Sequence, residues 1–148
     1  MKEEIKECVN QVIALLPDLE KAFHTDKPQE VLHIDISLPE IFVLKQLSSK
    51  EKPTMSELGR SISMDPSTLT RTVDKLVEKE FVFRKPDPDD RRVVRVAMTA
   101  KGQKIIRRFE EQRRKHVESI LRQMTSPERR DLLNIFKTLH GRIYGKVR

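Results

Sequence analysis

The chain has 148 residues, 36% of them hydrophobic and 36% charged, and a formal net charge of +7, which fits one domain whose helices turn much of their surface to water. A single cysteine excludes an internal disulfide framework, no apolar run approaches the ~18 residues of a membrane span, and the charged start Met1-Lys2-Glu3-Glu4 is no secretion signal, so the expected location is the cytoplasm. The positive balance favours a polyanionic partner, and a symmetric dimer would double it to +14.

In chain order, Ile5, Val9, Val12, Leu16, Leu19 and Phe23 step alternately by four and three, a helical seam that wants a second helix beside it. Pro17 interrupts the seam and is expected to kink or restart that helix. A polar linker, His24-Thr-Asp-Lys-Pro-Gln29, follows, and Val31 to Ile36 carries no clear period. Ser37 followed by Glu40 reads as a capping box that opens a helix bearing Ile41, Phe42, Leu44 and Leu47, the support for what comes next.

A second capping box, Thr54 with Glu57, starts a short helix with Met55, Leu58 and Ile62 on its inner face and Gly59 where something packs closely. After the turn Ser61–Met64, Asp65 is an N-cap and Pro66 takes the first helical position. Leu69, Val73, Leu76 and Val77 form the buried stripe of the following helix, and the opposite face carries Ser67, Thr68, Arg71, Asp74, Lys75 and Glu78, with Thr70 at its margin. Short hydroxyls near the N-terminus of an exposed helix let its backbone approach a major groove, and Arg71 is long enough for a guanine edge or a phosphate. Phe81–Lys85 and Val93–Met98 read as two strands around Pro86-Asp-Pro-Asp-Asp-Arg-Arg92. A hairpin after such a helix is a wing, and arginines at its tip suit the minor groove.

The run from Arg84 to Gly102, Arg-Lys-Pro-Asp-Pro-Asp-Asp-Arg-Arg-Val-Val-Arg-Val-Ala-Met-Thr-Ala-Lys-Gly, resembles the wing signature of the MarR family of regulators. Asp90 and Arg92 fill the Asp-x-Arg element of that signature, and Thr99 and Gly102 fill its Leu-Thr-x-x-Gly ending, with Met98 in the leucine position. The resemblance covers most of the chain and implies a homodimeric winged helix-turn-helix protein, a repressor released by a small ligand or by oxidation. It also implies that Arg91 or Arg92 enters the minor groove and that Asp90 braces the wing by pairing with an arginine.

Beyond the wing a long helix is expected from about Ala100 to Met124, apolar at both ends and polar over Glu110–His116. Thr125-Ser-Pro-Glu128 opens a last helix with Leu132, Phe136, Leu139 and Ile143 on one stripe. The expected fold is mainly α with a two- or three-stranded wing. Residues 1–36 supply a dimerisation helix and linker, 37–101 the DNA-binding unit and 102–148 further dimerisation helices. The major groove would be met by Ser67, Thr68, Thr70, Arg71 and Lys75, the minor groove by Arg91 and Arg92, and phosphates by Arg60, Arg84, Lys85 and Arg95.

Other chemistries find little support. Four scattered histidines show no metal-ligand spacing, and no phosphate loop, metal-hydrolase pattern or nucleophile elbow occurs, so no metal, cofactor or enzyme activity is expected. Asp87, Asp89 and Asp90 lack the glycine and distal glutamate of a calcium loop, and Arg91 and Arg92 beside them suit salt bridges better. Cys8 is expected to be a plain interface cysteine rather than a peroxide sensor. A small-molecule effector pocket has no sequence signature; Leu16, Phe23, Ile41 and Phe42 could line one, and core is the simpler role. The expected partner is double-stranded DNA with a pseudo-palindromic operator, read by a two-fold dimer. The rival reading is a winged-helix module that binds another protein and carries its basic face incidentally.

Overall fold

The structure is a computed structural model that describes residues 2–23, 27–49 and 52–145. Its elements are α1 (Lys2–Phe23), α2 (Pro28–Leu32), α3 (Leu38–Ser49), α4 (Met55–Ser61), α5 (Pro66–Glu78), β1 (Val82–Pro86), β2 (Val94–Met98), α6 (Ala100–Leu121) and α7 (Ser126–Tyr144). The chain divides into two units, Met1–Gln112 and Arg113–Arg148, and the division falls inside α6. The first unit holds the mainly helical core and the wing. Part of the expected linker, His24 to Asp26, lies outside the described residues.

The core of the first unit is assembled around α5. Its stripe of Leu69, Val73 and Leu76 is buried with Ile41, Val43, Leu44 and Leu47 of α3, Leu58 of α4, Val82 and Val96 of the hairpin, and Ile105, Ile106 and Phe109 of α6. The period of four and three puts these side chains on one face, and covering that face removes it from water. Val77, also expected in the stripe, stays exposed at its edge. The connection from α4 to α5 needs a left-handed residue, and Ser63 supplies it with φ 52°. Met64 N–H donates to the Gly59 carbonyl at 3.0 Å and Ser63 N–H to the Arg60 carbonyl at 3.4 Å, which closes the end of α4. A Cβ on Gly59 would lie 3.3 Å from both Leu69 and the Met64 carbonyl, so the glycine marks the closest approach of the two helices.

The end of α5 is built the same way. Glu80 is left-handed (φ 62°), and Phe81 N–H donates to Leu76 and Glu80 N–H to Val77, each at 2.9 Å. Thr99 then ties α6 to this turn: its hydroxyl lies 2.6 Å from the Glu80 carbonyl, to which it donates, and accepts the Gly102 N–H at 3.0 Å. A Cβ on Gly102 would sit 2.1 Å from the Phe81 carbonyl, so the Thr-x-x-Gly ending is a packing requirement of this junction. The hairpin is antiparallel with Val82 opposite Met98 and Lys85 opposite Arg95, and a bridge from Thr54 to Arg95 adds a short third edge.

Pro17 does not end α1, which runs on to Phe23. The Ile13 carbonyl that it cannot serve lies on a helix exposed along its length, where water can replace the lost donor. The Val31–Ile36 stretch resolves into the end of α2, a left-handed His33 and a bend, with Leu32 and Ile36 in the core. In the second unit α7 carries the expected Thr125–Glu128 capping box but no buried residue, and α6 stops at Leu121, short of Met124.

One buried ion pair fastens the reading helix to its support. Glu40, 2% exposed on α3, accepts from Lys79 Nζ at 2.6 Å and from the Ser37 amide at 2.6 Å. Burial alone would raise the Glu40 pKa; the bonds from Lys79 and Ser37 outweigh it and hold the carboxyl below its ordinary 4.5. Because the folded pKa is depressed, the pair stabilises the fold above that ordinary value and its contribution is lost as pH falls through the lower one. Lys79→Ala strands a buried carboxylate and is expected to cost about 3 kcal/mol at neutral pH, read from urea unfolding. The gap between variant and parent should narrow as pH falls below 4.5; a gap that is independent of pH would contradict this account.

Candidate nucleic-acid interface

The N-terminal turn of α5 is fixed before any ligand arrives. Asp65 accepts from the Thr68 amide at 2.9 Å and from the Ser67 hydroxyl at 2.7 Å, and these bonds hold its carboxyl far below the usual range. Thr70 donates its hydroxyl back to the Pro66 carbonyl at 2.8 Å. Ser67, Thr68, Thr70, Arg71 and Lys75 are all exposed. Among the described residues Arg71 and Lys75 make no ion pair, so both charges are available to an external anion.

The wing tip is organised by Asp87, which is buried. Its carboxylate accepts the amides of Asp89 at 2.8 Å and Asp90 at 3.2 Å and pairs with the Arg95 guanidinium; that guanidinium also donates to the Lys52 carbonyl at 2.9 Å. The Arg95 bond, followed by the Asp89 amide, holds the Asp87 carboxyl below its ordinary value. The resemblance puts an arginine on Asp90. In the structure Asp90 instead accepts the Arg92 backbone amide at 3.0 Å, and the arginine goes to Asp87, because strand register brings Arg95 back over the base of the turn. Nor do Arg91 and Arg92 serve as the salt-bridge partners of this acidic cluster. Both are exposed and without an ion pair among the described residues.

Two residues marked as phosphate contacts are already engaged inside the protein. Arg84 pairs with Asp74 of α5 at 2.7 Å, and Arg95 is held by Asp87. Arg60 donates weakly to the Ser56 carbonyl at 3.4 Å. Lys85 stands beside Lys52, whose ammonium pushes the Lys85 pKa below the ordinary lysine value. Like charges held together favour an anion between them, and Lys52 is a member of this cluster that the sequence reading passed over. Its only signal there was a place in the connection before Thr54.

The described residues contain no group of three or more His, Cys, Asp or Glu able to hold a metal, and no described helix is long and apolar enough to cross a membrane. Cys8 is exposed on α1. Ile41 is core, whereas Phe42 is half exposed and lines a groove of about 480 Å³ with Lys45, Gln46, Ser49, Ile62 and Glu110.

A recognition helix with an open hydroxyl and cation face, followed by an arginine-tipped hairpin, defines a winged helix-turn-helix DNA-binding protein. Residues 36–94 match the sequence model of the MarR family. The chain is 30% identical over 103 residues to the uncharacterized HTH-type transcriptional regulator YsmB of Bacillus subtilis, across 69% of this chain and 70% of that one. It is 28% identical over 110 residues to YpoP of the same organism, likewise an uncharacterized HTH-type transcriptional regulator, across 74% and 78% of the two chains. The structure of a MarR family protein from Bacillus stearothermophilus superposes with a TM-score of 0.76 at 22% identity, over 97% of each chain. The chain belongs to the MarR family of transcriptional regulators, and it is not an enzyme.

Asp87→Asn weakens the Arg95 pair and the two amide bonds at the turn. Amide hydrogen exchange at Asp89 and Asp90 is expected to accelerate, with the thermal midpoint almost unchanged, because the wing tip opens locally. Equal protection in parent and variant would show that Asp87 does not order the wing.

Proposed function

We propose that this protein is a homodimeric repressor that binds a pseudo-palindromic operator in double-stranded DNA and is released by a small ligand. The observation that carries the DNA-contact assignment is the distribution of paired and unpaired cations. Arg71 and Lys75 on α5 and Arg91 and Arg92 at the wing tip lack protein partners among the described residues, while the arginines nearer the fold's interior are engaged. Ser67, Thr68 and Thr70 with Arg71 and Lys75 meet the major groove. Arg91 and Arg92 meet the minor groove, and Arg60, Lys85 and Lys52 meet phosphates. Arg84 and Arg95 hold the reading elements in place.

The dimer reading rests on uncovered apolar stripes. Ile5, Val9, Val12, Leu16 and Leu19 on α1, and Phe136, Leu139 and Ile143 on α7, are all exposed in the single chain. Apolar faces of this extent mark interfaces, and a second copy would bury them. Repression and ligand release follow from the family resemblance. The groove beside Phe42 is the place we assign to an effector, with Phe42 and Ile62 for apolar contact and Lys45, Gln46 and Glu110 for polar contact.

Anisotropy with the DNA upstream of the protein's own gene, against unrelated DNA of equal length, tests the reading. With about 6–10 phosphate contacts, affinity is expected to drop by roughly 10³–10⁵ between ~50 and ~200 mM salt. Arg71→Ala should cost on the order of 1–3 kcal/mol on the preferred sequence and much less on the unrelated one. Salt-insensitive binding would instead favour a protein-interaction module. Phe136→Glu is expected to turn the dimer into a monomer in sedimentation experiments; a parent already monomeric at micromolar concentration would defeat the dimer reading.

A further inference from the structure

The ion pair between Asp74 and Arg84 joins α5 to β1 at the surface. Asp74 is 51% exposed and Arg84 31%, at 2.7 Å, and a surface pair of this kind contributes little to stability. Its position is unusual for a nucleic-acid interface. Asp74 follows Ser67 by seven positions and so points the same way from α5, in the middle of the exposed face that carries Arg71 and Lys75. A carboxylate there repels phosphates and lowers affinity for every DNA sequence. Arg84 comes from the first wing strand, two residues beyond buried Val82 and on the same face of that strand, so the pair joins the middle of α5 to the outgoing strand of the hairpin.

A second feature concerns Arg71. It lies three residues before Asp74, near enough on a helix surface for an ion pair. In the structure Arg84 occupies the carboxylate, and Arg71 is unpaired. The bridge therefore does three things at once: it ties wing to helix, withholds the Arg84 cation from the DNA backbone, and keeps Asp74 off Arg71.

We propose that the Asp74–Arg84 pair is a specificity device, with both members acting as positioning residues: it couples the wing to the reading helix and suppresses contact with DNA that seats only one of them. Loose, sequence-independent binding counts cations; specific binding needs helix and wing in their grooves together. A wing clamped to the helix finds phosphates only when the helix is seated, and the clamped geometry is already the bound one, so little ordering cost remains. Releasing the clamp adds a free arginine to every encounter and loosens the one encounter that requires alignment.

This inference rests on the DNA-binding reading above, and the experiment separates the two. The full-length protein would select a duplex from a random-sequence pool. Its binding to that duplex and to a shuffled one of equal length would be measured at ~50 and ~200 mM salt, beside Asp74→Asn, Arg84→Gln and the double variant, with thermal melts confirming that all fold. In Asp74→Asn the freed Arg84 neutralises one more phosphate, steepening the salt slope by about 0.9; binding to shuffled DNA then falls ~3.5-fold more across that salt range than in the parent, and is up to about 8-fold tighter near 0.1 M salt. The preference for selected over shuffled DNA should shrink. In Arg84→Gln the orphaned Asp74 captures Arg71, and binding to the selected duplex should weaken roughly tenfold. Adding Asp74→Asn to that variant should restore part of the loss.

An unchanged slope and preference in Asp74→Asn, or a double variant no better than Arg84→Gln alone, would overturn the proposal and leave the regulator reading standing. A parent protein that selects no sequence from the pool would overturn both.

Discussion

The docking of α5 on α3 is the constraint from which the rest of the molecule follows. Leu69, Val73 and Leu76 fix which face of the helix turns inward, and the Lys79–Glu40 pair fixes its rotation and its far end. Apolar packing alone tolerates small slides along a groove; a buried carboxylate with two donors at 2.6 Å does not. The left-handed turn at Glu80 then sends the chain into β1 at a set angle, and Thr99 and Gly102 clamp α6 over the same turn. Both α5 and the hairpin are thus built outward from one junction.

Much of this architecture was legible because it rests on local signals. The caps at Thr54, Asp65 and Thr125 announce helix starts in a pattern that owes nothing to tertiary structure, and all three make the expected hydrogen bonds. The period of α5 separates its buried and exposed faces, apart from Val77 at the edge. The two strands lie within a residue of their expected bounds, since the Pro- and Asp-rich turn between them can hardly be anything else. What escaped were contacts between residues far apart in sequence. Nothing in Ser37-Leu-Pro-Glu40 says that the glutamate, besides capping its own helix, reaches Lys79. The left-handed conformations of Ser63 and Glu80 escaped too, although turns were expected there, because neither residue is the glycine or asparagine that would mark one.

The same division explains what the sequence says of the basic residues. Residue type places arginines and lysines in the right region, but whether each is free depends on which acid the fold brings alongside. Of the three carboxylates at the wing tip, Asp87 turns inward to meet Arg95 while Asp90 serves a backbone amide, and strand register sets which one meets the arginine. Pro17 is the converse case. The local rule is sound, yet on an exposed helix water can take up the lost bond, and α1 continues to Phe23 without restarting.

A protein of net charge +7 that meets DNA has no shortage of attraction. Its difficulty is that attraction to phosphate is the same for every sequence, so each further free cation strengthens the wrong complexes along with the right one. Pairing Arg84 and Arg95 internally converts two nonspecific contacts into rigid connections, one from wing to helix and one across the base of the wing. The exposed Asp74 is intelligible only on these terms. On a surface selected for affinity alone it would be a defect, whereas on one selected to discriminate it would lower the background against which the proposed readers, Arg71 and the serine and threonine hydroxyls, work. On the proposed reading, the acids embedded in this basic face belong to the recognition apparatus as much as the arginines do.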